Sequence, residues 1–270
     1  MKTTSCGDFR NSGFTLVELI MVIALAGIVA VMISTVMSRP LQGFADQSRR
    51  AELTDLAAMA LNRMARDIRL AVPNLLVVSS NEVRLVPISA AGRYRANQSD
   101  PAGPRQDPPA CIQATGACSI DILSPIEPTS ATTPHWLIIY NTTGLVGLAE
   151  AQDGDVSAIS PKAFIWKDST LSAGLSDFKF KYASPQKRFY LANEAVTYRC
   201  SGDELLRESS QKLDGSDPIQ AVVVDSVNTC SFSYQPGTST RNGLVTLRLS
   251  LTKGGETISL LQQVHVDNAP

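Results

Sequence analysis

Histidine, tryptophan and cysteine are rare in this sequence, and neither sign of charge is in clear excess. Its 270 residues include two histidines, two tryptophans and five cysteines, and the formal net charge is −1. A balanced charge argues against a nucleic-acid-binding protein, which normally presents a strongly basic surface. His135 and His265 have no histidine near them in the sequence, and the cysteines lack CxxC spacing. The composition therefore predicts no bound nucleic acid and no metal or other cofactor.

Charged side chains are missing altogether from Leu19 to Ser38, where Leu, Ile, Val, Met and Ala dominate. A helix of about 20 residues spans about 30 Å, the thickness of a bilayer's hydrocarbon core. The run therefore predicts a membrane-spanning helix. Lys2 and Arg10 before it favour a cytoplasmic N-terminus and an extracytoplasmic remainder, although Arg39 on the far side weakens that rule.

A secretory signal peptide is the alternative interpretation of the apolar run. Ala24-Leu25-Ala26 offers the small-x-small pattern of a cleavage site. Two features argue against it: Glu18 would lie in the middle of the apolar region of such a peptide, and the apolar run continues well beyond Ala26.

Glu18 lies against this apolar run, and a carboxylate in hydrocarbon costs about 2 to 3 kcal/mol even on a lenient scale. Cleavage between Gly13 and Phe14 would create a partner for it, because a free α-amino group is mostly protonated near neutral pH. A neighbouring copy, staggered by a helical turn, could present its amine to Glu18. The alternative is a residue at the membrane interface, stabilised there by the positive end of the helix dipole.

The residues Gly13-Phe14-Thr15-Leu16-Val17-Glu18 and the apolar run after them closely resemble the class III signal of type IV pilins and type II secretion pseudopilins. The resemblance implies that a prepilin peptidase cuts between Gly13 and Phe14 and N-methylates Phe14, and that Glu18 registers one subunit against its neighbour. It implies further partners: other minor and major pilins, the membrane and an inner-membrane assembly platform. The expected location is the inner membrane in a single pass, with the head in the periplasm, and later a pilus at the cell surface.

Four segments are predicted along the chain: a cleaved leader at 1–13, a transmembrane and assembly helix at 14–38, an amphipathic continuation of that helix at 39–73, and an extracytoplasmic strand-rich head at 74–270. Leu53, Leu61 and Ile68 belong to a set of apolar residues that recur at helical spacing in the continuation. Pro73 is expected to end the helix, and Pro40 to kink or break it.

The head is predicted to be an antiparallel sheet, which with the helix makes an α+β fold. Extended patterns and turns predict strands at 76–79, 83–87, 136–141, 178–183, 195–200, 205–208, 221–224, 230–234, 244–251 and 257–266. The segment at about 90–134 is rich in proline and glycine and has little periodic apolar pattern. It is therefore expected to be a long irregular insertion.

Cys6 would be lost with the leader, and the even number of remaining cysteines suits an oxidising compartment. Four cysteines allow three pairings. The favoured one joins Cys111 with Cys118, stapling the proline-rich segment, and Cys200 with Cys230, tying two strands across the sheet, because both closures are local. A metal site and reduced buried thiols are the alternatives.

Enzymatic motifs are scarce, and no enzymatic activity is predicted. Ser184-Pro185-Gln186-Lys187 spells SxxK, but a lone SxxK is common by chance and its proline argues against a helix that presents both side chains. Asp153-Gly154-Asp155 is better explained as a turn than as a cation site. Trp136, Trp166 and Tyr182 are expected in the core or the sheet rather than in a ligand platform.

Within the family, the large head argues against a major pilin. The string from Arg63 to Arg69, and the strings at 195–200 and 205–207, resemble the larger minor pilins and J-type pseudopilins. The C-terminal string at 263–270 is similar to the minor pilins of MSHA pilus biogenesis. The resemblance implies a subunit that primes assembly or sits at the filament tip, with a secretion pseudopilin and a tip adhesin as alternatives.

Overall fold

A computed structural model describes residues 13–96, 105–112, 118–123, 125–145, 150–238 and 241–266. Residues 1–12 of the predicted leader lie outside the description. So do 97–104, 113–117 and 124 of the predicted insertion, and 267–270 of the C-terminal string. The chain divides into two compact units, Met1–Ala51 and Glu52–Pro270. The second is called the globular unit below.

One helix, α1 (Leu16–Arg69, 54 residues), begins the described structure. Its last five turns belong to the globular unit and are amphipathic, as the spacing predicts. Leu53, Leu61, Met64 and Ile68 are each at most 2% exposed, while Arg63 points to solvent. Burial of this apolar stripe stabilises the helical conformation there more than intrinsic propensity does.

The helical backbone continues through Pro40, so of the kink or break expected there the break is absent, since a proline inside a helix removes one hydrogen bond without necessarily ending the helix. The expected end of the helix at Pro73 is wrong, because the helix ends at Arg69. Pro73 lies in the first strand, Ala71–Val78, which is an edge strand, and an edge tolerates a residue that lacks a backbone N–H.

The described residues form seventeen strands, in chain order: β1 (Ala71–Val78), β2 (Glu82–Pro87), β3 (Ala90–Arg93), β4 (Ala110–Ile112), β5 (Cys118–Asp121), β6 (Ser130–Ile138), β7 (Val156–Ser157), β8 (Phe164–Lys167), β9 (Thr170–Ala173), β10 (Asp177–Phe180), β11 (Arg188–Ala192), β12 (Ala195–Ser201), β13 (Glu204–Ser210), β14 (Ile219–Val224), β15 (Val227–Gln235), β16 (Gly243–Lys253) and β17 (Glu256–Val266). All ten predicted strands have a counterpart among them. The α+β class is confirmed.

These strands build four sheets with the orders β1-β2-β12-β13-β14, β4-β10-β7, β3-β11-β6-β8-β9-β5 and β15-β16-β17. Pairing is antiparallel except between β10 and β7. Gly202 and Gly255, at φ 61° and 83°, form the turns of the β12–β13 and β16–β17 hairpins, where a side chain would be strained.

The end of α1 shares one apolar core with the five-stranded sheet and the β15-β16-β17 sheet. Val245, Leu247, Leu249 and Leu251 enter it from alternate positions of β16, because successive side chains of a strand point to opposite faces. A second core, rich in aromatic side chains such as Phe164 and Phe178, lies within the six-stranded and β4-β10-β7 sheets.

The expectation of one irregular insertion at about 90–134 is wrong for much of its described part. That stretch contains β3, β4, β5 and the first half of β6. Each of the first three is at most four residues long and pairs with a strand much later in the chain, β11, β10 or β9. Partners distant in sequence, and not local pattern, define these strands.

Two disulfides are present in the globular unit, Cys111–Cys118 and Cys200–Cys230. Neither lies within one sheet. Cys111 is in β4 and Cys118 in β5, which belong to different sheets, and the same holds for Cys200 in β12 and Cys230 in β15. The expectation that the second bridge ties strands of a single sheet is therefore wrong, because the chain crosses to another sheet between β14 and β15.

Candidate processing and assembly segment

The helix begins with a well-formed N-terminal cap at Thr15. The Thr15 hydroxyl oxygen accepts a hydrogen bond from the Glu18 backbone N–H at 3.3 Å, and the Thr15 carbonyl accepts one from Leu19 at 3.2 Å. A helix leaves its first N–H groups without intrahelical partners, and a threonine at this position satisfies one of them. The T-x-x-E spacing of Thr15 and Glu18 is that of a capping box, a signal that the sequence analysis did not use.

The Gly13–Phe14 junction lies just before this cap, in backbone that is not helical. Both residues are exposed, and the Phe14 side chain is 78% exposed. A Cβ atom added to Gly13 would meet nothing within 4 Å. The packing of this chain therefore does not require a glycine at position 13, and the peptide bond after it is accessible.

The apolar run that follows is uncovered. Leu16–Ser34 is long and apolar enough to cross a membrane, and none of it is buried within the chain. Large side chains such as Ile20, Ile23 and Val31 are 57 to 69% exposed. Nineteen helical residues extend about 28 Å, close to the thickness of a hydrocarbon core. A surface of this kind calls for a nonpolar environment or other helices against it.

Glu18 lies in the first turn of α1 with an exposed side chain. Among the residues that the structure describes, its carboxylate makes no ion pair. The helix dipole favours an anion there, but only within the first turn and weakly. The structure thus brings Gly13, Phe14 and Glu18 together on one exposed segment, and leaves the charge of Glu18 without a counter-charge in this part of the chain.

Three of the motif strings, at 63–69, 195–200 and 205–207, meet at one polar contact in the globular unit. Asp67, in the last turn of α1, accepts a hydrogen bond from the Tyr198 hydroxyl at 2.7 Å and one from Arg207 Nε at 3.2 Å. Arg207 also pairs with Glu194 at 3.3 Å. Burial and the hydrogen bond to Asp67 raise the pKa of the Tyr198 hydroxyl well above its usual value. This contact fixes the end of α1 onto strands β12 and β13.

The residues of the SxxK motif are engaged in structural contacts. Ser184 is 1% exposed, and its hydroxyl accepts a hydrogen bond from the Arg188 N–H at 3.0 Å. Lys187 forms an ion pair with Asp107, and its amide donates to the Ser184 carbonyl at 2.9 Å, which closes a turn. The motif is a turn here and not a helix that presents both side chains.

Two of the three aromatic residues expected in the core or the sheet are there. Trp136 and Trp166 are 0% and 3% exposed. The expectation for Tyr182 is wrong, because 42% of it is exposed and it lies beyond the end of β10, outside the strands. In the described residues, no group of three or more His, Cys, Asp or Glu side chains is placed to hold a metal ion.

A family model described as the prokaryotic N-terminal methylation motif matches residues 8–34. Neither a curated protein nor a solved structure matches the chain. The match covers the junction, the cap, Glu18 and the exposed apolar helix, and it supports a type IV pilin-like or pseudopilin protein with a class III signal. The motif and the apolar helix together suggest an N-terminal membrane anchor and pilin-like partners.

Proposed function

We propose that this protein is a minor pilin of a type IV pilus of the MSHA kind, which primes filament assembly or sits at the filament tip. The observation that carries the proposal is the segment Gly13 to Glu18, where an accessible junction, a capped helix and an uncompensated carboxylate precede an uncovered apolar helix. The partners would be a prepilin peptidase, other minor and major pilins, and the inner-membrane assembly platform.

Processing would cut the Gly13–Phe14 bond and methylate the new amine of Phe14. A peptidase needs its scissile bond in extended backbone, and the cap at Thr15 keeps the helix from reaching the junction. Because nothing packs around Gly13, the restriction to glycine would come from the enzyme's own site.

Assembly would pair the Phe14 amine of one subunit with Glu18 of another. An unpaired carboxylate in hydrocarbon costs about 2 to 3 kcal/mol, and each pair formed would remove that cost. Methylation keeps the amine basic, so the attraction persists after processing. The exposed side chains of Leu16–Ser34 would then pack against those of neighbouring subunits.

The assignment to a minor subunit rests on the globular unit, Glu52–Pro270, which is large for a subunit repeated along a filament. The C-terminal string at 263–270 resembles the MSHA biogenesis protein MshO. The strings at 63–69, 195–200 and 205–207 resemble the larger minor pilins and J-type pseudopilins, and the hydrogen bonds of Asp67 with Tyr198 and Arg207 join these three strings in space.

A J-type minor pseudopilin of type II secretion is the alternative within the same class. Genes beside this one would separate the two: pilus ATPase genes and a major pilin indicate a pilus, and an outer-membrane secretin in a secretion operon indicates a pseudopilus. The proposed role is not enzymatic in either case.

A tip adhesin is the candidate of another class. One observation favours it: a cleft of about 310 Å³ between the segment at about 90–134 and the β8–β9 turn, lined by Leu123, Pro125 and Ile126 on one side and Asp168 on the other, among others. Leu123 is 50% exposed there. Leu123→Ser should lower adhesion of piliated cells, and normal adhesion with this variant argues against an adhesin of this kind.

The assembly role is tested in cells with three single variants. Gly13→Ala should leave the leader attached, seen as a slower band on a gel, while Gly27→Ala, which also has nothing within 4 Å, should be processed normally. Glu18→Gln should be processed but should lose pili and co-purification with other minor pilins. Normal piliation by Glu18→Gln would show that the carboxylate does not register subunits.

A further inference from the structure

A cleft of about 200 Å³ opens on the globular unit beyond the end of β6, next to β7 and the chain that leaves β10. Its lining includes Thr142, Thr143, Val156, Ser157, Lys181 and Tyr182. The volume is below the range of about 300 to 1,000 Å³ that is usual for drug-sized ligands. It suits a single small ring.

One wall of this cleft is a rigid turn. The Asn141 side-chain amide donates to the Thr143 carbonyl at 2.8 Å, and its oxygen accepts from the Thr143 hydroxyl at 2.9 Å. From outside the turn, Asn74 donates to the Asn141 carbonyl at 2.8 Å. Tyr140, just before it, has φ 46°, a left-handed conformation that is rare for a bulky residue and is often found at functional sites. The wall is held in shape before any ligand arrives.

The other wall carries uncovered apolar surface. Tyr182 is 42% exposed and Val156 is 60% exposed. The ring of Tyr140 meets that of Tyr182 edge to face, with centroids 6.5 Å apart and planes at 83°. This contact restrains the Tyr182 ring while leaving much of it open to solvent. An exposed, restrained aromatic ring beside hydroxyl groups can bind a molecule that has both an apolar face and polar edges.

Lys181 supplies the charge of the cleft. Its ammonium nitrogen lies 5.2 Å from the centre of the Tyr182 ring. Among the described residues it makes no ion pair, whereas Lys179 and Lys212 pair with Asp177 and Asp217. The backbone of Lys181 is fixed, because its N–H donates to the Ser157 carbonyl at 3.1 Å. The cleft therefore offers a positive charge beside the Tyr182 ring, and the matching ligand group is an anion.

We propose that this cleft binds one acidic pyranose unit, a hexuronic acid residue of a polysaccharide. The C–H face of the sugar would stack on Tyr182, its hydroxyl groups would bond to Thr142 and Ser157, and its carboxylate would meet Lys181. Sugar rings combine an apolar face with polar edges, as the cleft does. This goes beyond the assembly role and does not rest on it, since the contacts involve only the globular unit.

The test uses the full-length protein in detergent micelles and two immobilised probes, biotinylated tri-galacturonic acid and biotinylated maltotriose. Binding to the acidic probe is expected, with the neutral probe at least about tenfold weaker. Tyr182→Ala and Lys181→Gln should each weaken binding of the acidic probe about tenfold, and Lys181→Arg should restore most of it. Lys167→Gln and Ile219→Ala change an exposed lysine and an exposed apolar side chain outside the cleft, and should leave binding unchanged.

Three results would overturn the proposal: no binding of either probe, equal binding of both, or wild-type binding by Tyr182→Ala. Thermal melting of each variant guards against misfolding, and because all four substituted side chains are exposed, the melting temperatures should agree with that of the wild type. The same variants should form normal pili. Piliation therefore reports on the assembly role, and probe binding reports on the saccharide site, so failure of one is distinguishable from failure of the other.

Discussion

The contact of Asp67 with Tyr198 and Arg207 gives a quantitative prediction about the globular unit. Asp67→Ala removes a charge-assisted acceptor from the Tyr198 hydroxyl at 2.7 Å and from Arg207 at 3.2 Å. Tyr198 is fully buried, so its hydroxyl would be left without this partner, which costs about 1 to 3 kcal/mol. The lost ion pair adds about 1 kcal/mol. An aspartate in the last turn of a helix is unfavourable by about 0.5 kcal/mol, which offsets part of the loss.

The net expectation is a destabilisation of about 2.5 kcal/mol for Asp67→Ala, or about 5 to 10 °C in melting temperature for a unit of this size. Tyr198→Phe removes the donor and leaves Asp67 with Arg207, so it should cost only about 1 to 1.5 kcal/mol. The double variant should cost less than the sum of the two, with a coupling energy of about 1 kcal/mol. Urea unfolding of the full-length protein in detergent, followed by tryptophan fluorescence, measures all three.

Asp177→Ala is the matched control for this series. Asp177 is an exposed carboxylate whose ion pair with Lys179 is 3.6 Å long, and surface pairs of this kind contribute little. Its cost should stay below about 0.5 kcal/mol. If Asp67→Ala costs no more than Asp177→Ala, or if Asp67→Ala and Tyr198→Phe are additive, the contact does not fix α1 onto the sheet.

Three further predictions concern other parts of the globular unit. Because the pKa of Tyr198 is raised in the folded protein, the unfolded protein loses the Tyr198 hydroxyl proton at a lower pH than the folded protein does. The free energy of unfolding should therefore fall by about 1.4 kcal/mol per pH unit above about pH 10. In Tyr198→Phe, the urea midpoint should fall less between pH 9 and pH 11 than it does in the wild type. An equal fall in the two proteins would contradict this prediction. Replacing both Cys200 and Cys230 by serine opens a loop spanning 30 residues and should cost about 3.5 kcal/mol in urea unfolding. An unchanged midpoint would refute a bridge there. Gly92→Ala would place a Cβ 2.9 Å from side-chain atoms of Ile126 and Phe189, and should lower stability by about 1 to 3 kcal/mol. Gly144→Ala, with nothing within 4 Å, is its control in thermal melts.

The sequence predicted the elements whose patterns are long. The apolar run, the amphipathic end of α1 and strands such as β16 span enough residues for their period to be visible. It did not predict β3, β4, β5, β7, β8, β9 and β11, which are two to five residues long and too short to show a period. Apart from the β8–β9 hairpin, their backbone hydrogen bonds come from strands distant in the chain, and a single sequence does not reveal such pairings.

The processing segment was predictable for a different reason. Gly13, Phe14 and Glu18 lie close together in the chain, so their spacing alone describes the site. The Asp67 contact and the Tyr182 cleft could not be predicted from the sequence, because each joins residues separated by 40 or more positions. For Tyr182, the general rule that aromatic residues are buried gave the wrong answer, since its neighbours in space decide its exposure.

The Cys200–Cys230 bridge also determines what a protease can release. The connection 211–218 between β13 and β14 lies within the loop that this bridge closes, and half of its residues are exposed. A cut there would leave two fragments joined through the sulfur atoms, and the two pieces would migrate as one on a gel without reductant. The chain could therefore be cut at this exposed connection while all its strands stay covalently joined.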